Sequence, residues 1–95
     1  MNIPINNYAN VLIRLNKLDE AFKISSKAQQ LEPTSSYALD TIGWVLFKQG
    51  KVEDSLIYLQ KASEGLPNNS EIKLHLIENY IALKQNQTAR SLLKR

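Results

Sequence analysis

The chain has 95 residues, 43% of them apolar and none of them cysteine. That is enough for one small domain, and it excludes a disulfide framework, a thiolate metal site and a cysteine nucleophile. The net charge of +3 divides as +1 over 2–35, −1 over 36–69 and +3 over 70–95, and Glu71 and Glu78 interrupt the basic end, so no dense basic face for nucleic acid forms. No apolar run reaches the ~18–20 residues of a membrane span, and Met1 to Tyr8 lacks the charged and apolar regions of a signal peptide.

In chain order the sequence predicts six amphipathic helices. The first, over 4–15, ends at Asn16, a residue that tolerates the left-handed backbone of a helix terminus. The second, over 18–31, opens on Asp19 and Glu20, whose carboxylates suit the positive end of the helix dipole. Glu32-Pro33-Thr34-Ser35 stops it, because proline ends one helix and the serine caps the next. The third, over 35–49, repeats Leu39, Ile42 and Leu46 at the helical period, and Gly50 ends it. The fourth, over 52–65, opens on Glu53 and Asp54 and carries Val52, Leu56, Leu59 and Ala62 on one face. After Leu66-Pro67-Asn68-Asn69-Ser70 comes the fifth, over 70–84, where Lys84 takes the place of Gly50 and predicts a looser or more strained turn. The sixth, over 87–94, is short, and its Ala89, Leu92 and Leu93 need cover from the preceding helix or from another chain.

Sliding the chain by 34 residues superimposes 2–35, 36–69 and 70–95 without a gap. Pro33 falls on Pro67, Ala28 on Ala62, Leu12 on Leu46 and Tyr80, and Tyr8 on Ile42 and Leu76. A period of this length marks stacked helix pairs. The expectation is therefore one domain over 1–95, an all-α solenoid of three helix-turn-helix units with the last one truncated. Ile3, Ile5 and Tyr8 begin as abruptly as the last helix ends, which predicts a segment of a longer repeat array. Such arrays bind partners more often than they catalyse. No nucleophile elbow, phosphate loop, zinc spacing or acid–base pair in a cleft is present, so a non-enzymatic protein without cofactor or metal is expected.

The middle unit carries Leu39, Ile42, Gly43, Leu46, Ser55, Leu59, Ala62 and Pro67 at eight columns that resemble the signature of the tetratricopeptide repeat. The first unit supplies Ile5, Tyr8, Ala9, Leu12, Ala21, Ser25, Ala28 and Pro33, and the third Leu76, Tyr80, Ala89 and Leu93. Lys73 and Ile77 depart from the pattern, and Ile77 is expected to push its helix pair apart or rotate it. The resemblance implies a right-handed superhelix whose first helices line a concave groove for a partner protein or extended peptide. The run from Leu39 to Lys51 also resembles a unit of bacterial repeat lipoproteins tied to exopolysaccharide export and protein sorting, the PEP-CTERM system. That likeness implies an envelope or periplasmic setting; without it the compartment is open, the cytoplasm included.

By the same resemblance the groove takes Asn6 and Asn10 from the first helix, Tyr37, Asp40, Trp44, Phe47 and Lys48 from the third, and His75 and Glu78 from the fifth. Trp44 is the sharpest of these. An indole beside a carboxylate and amides is what binding hot spots use. The competing reading is that Trp44 packs on a neighbouring first helix near Asn10 or Glu78 and serves stability. His75, the only histidine, has Glu71 and Glu78 in helical register as metal ligands, against the commoner reading of an exposed histidine on a charged face. Capture of a C-terminal carboxylate is disfavoured, since Glu71 stands where a lysine would be needed. Two alternatives of other classes remain: copies stacking through uncapped ends as a homo-oligomer, and carbohydrate binding through Trp44 and Tyr37.

Overall fold

The computed structural model describes residues 5–83 and Leu93; the sixth predicted helix and the turn at Lys84 lie outside the described residues. Five helices are present among them: α1 (Ile5–Arg14), α2 (Leu18–Leu31), α3 (Ser36–Lys48), α4 (Val52–Gly65) and α5 (Ser70–Ala82). The turns inside the first two pairs are built alike. Asn16 has φ +61° and Gly50 has φ +86°. Lys17 N–H donates to Leu12 O at 2.8 Å and Asn16 N–H to Ile13 O at 2.9 Å, and Lys51 and Gly50 donate likewise to Leu46 O and Phe47 O. This is the Schellman closure, in which a left-handed residue lets two N–H groups reach back to carbonyls that the helix end leaves free.

The joints between pairs are also repeated. Ser35 Oγ accepts from Ala38 N–H at 3.3 Å, and Asn69 Oδ1, at the same column, accepts from Ile72 N–H at 3.0 Å. Each cap supplies an acceptor for a donor that the first turn cannot satisfy. The starts of α2 and α4 have no side-chain cap, and Asp19, Glu20, Glu53 and Asp54 in their first turns face the dipole instead.

Consecutive helices pack on each other, and α1 touches α3 as α3 touches α5, whereas α2 and α4 do not meet. The odd-numbered helices thus form the tighter layer, and the stack curves with that layer on the inside. Between α2 and α4 the outer layer opens into a cleft of about 530 Å³ flanked by Phe22, Ile57 and Tyr58.

Helix α3 sits at the centre and touches all four others, and eight of its thirteen residues are buried. Gly43 is required there for close approach. A Cβ at that position would lie 2.9 Å from Leu59 Cγ and 3.2 Å from Tyr58 Cβ, so α4 could not seat as it does. Leu12, Ala21 and Val45 form one buried cluster, and Leu39, Ala62 and Ile72 a second, each joining successive helix pairs.

Tyr8 shares a column with Ile42 and Leu76, which are 3% and 4% exposed, yet Tyr8 is 46% exposed. α3 and α5 each follow and touch a preceding helix, whereas no helix among the described residues precedes α1. Ile77 is buried, but the helix it was expected to displace lies outside the described residues.

Candidate functional site

The inner layer brings Asp40, Trp44, Phe47 and Lys48 of α3 together with His75 of α5. His75 Nδ1 lies 2.8 Å from Asp40 Oδ1. A carboxylate only accepts, so the imidazole donates from Nδ1. The His75 ring is also stacked on the Trp44 indole, with centroids 4.0 Å apart and planes 12° from parallel. Phe47, one turn along α3, stacks on the same indole at 5.0 Å and 4°. Lys48 Nζ stands 4.6 Å from the indole centroid, in the range where the ring's negative face attracts a cation.

These contacts decide between the two readings of Trp44 in part. The indole does pack on a neighbouring first helix, where it meets His75. Two rings and an ammonium already lie against it. His75 is likewise not the exposed histidine on a charged face: its side chain and that of Asp40 are each only 12% exposed. The pairing satisfies a buried carboxylate, which would otherwise be costly to desolvate. Asp40 is thereby withdrawn from the list of groups facing a partner.

The groups that do face outward are Tyr37, Lys48 and Glu78, with Tyr37 at 59% exposure. Asn6 and Asn10 are half-buried on α1, and among the described residues no hydrogen bond joins them to the cluster. The Asn6 side-chain oxygen is buried without a partner. Among the described residues no three metal-ligating side chains converge, and Glu71 and Glu78 are exposed. Next to Asp40 in the chain, the Thr41 hydroxyl donates to Tyr37 O at 2.9 Å.

One buried polar group escaped the sequence reading. Asn79 is fully buried on α5, donating from Nδ2 to Val52 O at 3.1 Å and to Ser55 Oγ, while Ser55 Oγ donates to Val52 O at 2.8 Å. Its column holds Val11 and Val45 in the other units, so a polar residue in an apolar column was the available signal. The network ties α5 to the start of α4 and leaves Asn79 Oδ1 without a partner.

The tetratricopeptide repeat family matches over residues 46–95, slightly more than half of the chain. The TPR repeat-containing protein PA4667 of Pseudomonas aeruginosa is 35% identical over 65 residues, which is 68% of this chain and 11% of that protein. The chain therefore spans about a tenth of the length of this curated relative. Neither match bears on the narrower likeness to export-system lipoproteins.

Proposed function

The chain belongs to the tetratricopeptide repeat family, and from that premise we propose that its inner layer is a rigid docking groove for a partner protein or an extended peptide. Repeats of this family generally mediate protein–protein interaction, and the family is typically non-enzymatic. The observation that carries the reading for this chain is the braced cluster of Asp40, Trp44 and His75. It fixes α3 against α5 by a hydrogen bond and a ring stack, and it holds Tyr37, Lys48 and Glu78 on a surface that loses little freedom when a partner docks. Tyr37 supplies an amphipathic aromatic at low entropic cost, and Lys48 a cation whose stem is already ordered over the indole.

Placement in a bacterial envelope or export system belongs to the same proposal and rests on the run from Leu39 to Lys51. End-to-end stacking of copies is a second reading, favoured by one observation: Tyr8 and Val11 of α1 and Leu15 just after it are exposed apolar residues, at 46%, 47% and 61%. Growth in size with concentration would mark it.

The groove reading is tested by Tyr37→Ala combined with Lys48→Ala. Both side chains are exposed, so the melting temperature should move by no more than about 4 °C, while partners co-purified from source cells by the native chain are lost. Undiminished recovery would contradict it.

A further inference from the structure

Helix α5 carries a second stripe, beyond the cluster, that nothing covers among the described residues. Glu71, Leu74, Glu78 and Ile81 recur at steps of three, four and three, which places them on one face along roughly 15 Å of helix. All four are exposed, Leu74 at 57% and Ile81 at 53%. Slid back by 34 residues they become Tyr37, Asp40, Trp44 and Phe47, the stripe of α3 on which α5 lays His75. Helix α5 thus turns outward the face through which α3 receives a helix, continuing the packed layer of α1, α3 and α5.

The chemistry of the two stripes differs. On α3 an aspartate and an indole accept an imidazole. On α5 two carboxylates alternate with two aliphatic side chains, and among the described residues neither glutamate has an ion-pair partner. Nearby charges on α3 are engaged elsewhere, Asp40 with His75 and Lys48 over Trp44.

We propose that this stripe docks an amphipathic helix of a partner protein whose lysines or arginines flank an aliphatic seam. The inference rests on the groove reading and names the chemistry of the occupant. A helix is specified because side chains at three- and four-residue steps form ridges that mesh with those of another helix. Basic flanks are specified because docking desolvates Glu71 and Glu78. A neutral helix would leave two carboxylates unpaired, and an acidic one would repel them. The attraction is local, since the chain as a whole carries +3 and disfavours a cationic partner.

Two synthetic helices of about four turns, identical in their leucine seam, provide the test, one with lysines and one with glutamates at the flanking positions. Binding is read from the fluorescence of Trp44, the only tryptophan, which touches His75 of α5, and from anisotropy of labelled peptide. The lysine peptide should bind at least about tenfold more tightly than the glutamate peptide at low salt, with the preference shrinking as salt rises. Glu71→Lys combined with Glu78→Lys should invert the preference at an unchanged melting temperature. Equal binding of both peptides, binding of neither, or a preference that survives the double reversal would overturn the inference. So would self-association of the native chain abolished by Leu74→Ala, since a second copy would then be the occupant. If the peptides fail while Tyr37→Ala with Lys48→Ala still loses the native partner, the groove stands and only this occupant falls.

Discussion

Trp44 is the residue at which packing and recognition compete. A half-buried indole stacked on His75 and Phe47 contributes to the α3–α5 contact whether or not a partner is present. Trp44→Ala is therefore expected to lower stability by about 2–3 kcal/mol, less than a fully buried tryptophan would cost. In a domain of this size that is a loss of at least about 10 °C in melting temperature. Tyr37→Ala, from an exposed site on the same helix, should leave the melting temperature nearly unchanged. Thermal denaturation of the two variants side by side checks this. Equal shifts would mean that the cluster contributes nothing to holding the repeats together. The pairing of His75 with Asp40 was not legible in the sequence, because it joins positions 35 apart, one residue off the repeat period. Column-by-column comparison places Asp40 opposite Leu74 and gives no reason to look at the next residue.

The five described helices were legible almost to the residue, because their ends are decided locally. Asn16, Gly50, Ser35 and Asn69 each act within a few positions of where they stand, and each does what its residue type favours. What the columns could not convey is how one element answers another. Val45 meets Ala21 in an apolar contact, while the equivalent contact one unit later is the polar network of Asn79 with Ser55 and Val52. The two solutions suggest an exchange. Asn79→Val alone removes the donor and leaves Ser55 beside an apolar group, and should cost about 1–3 kcal/mol. Adding Ser55→Ala recreates the first unit's contact and should recover most of that loss, since replacing both partners of a buried polar pair is often neutral. Denaturant melts of the single and double variants decide it. Losses that simply add would show that the two interfaces are not interchangeable.

Curvature follows from the order of contacts, with α1, α3 and α5 touching and α2 and α4 apart. It sets which surface is sheltered and which is splayed, and so where a partner gains most from docking. The sequence pointed to the groove by resemblance, but three of the nine groove positions it offered are engaged with one another: Asp40 and Trp44 both meet His75. The positions left for recognition lie around that brace. Site-specific photo-crosslinking tests this division most directly, with a photoreactive residue placed at Tyr37 on the inner layer or at Ile57, 54% exposed on the outer helix α4. The account predicts that the probe at Tyr37 yields a discrete crosslinked partner in source cells and that the probe at Ile57 does not. Crosslinks to the same partner from Ile57, with none from Tyr37, would contradict it.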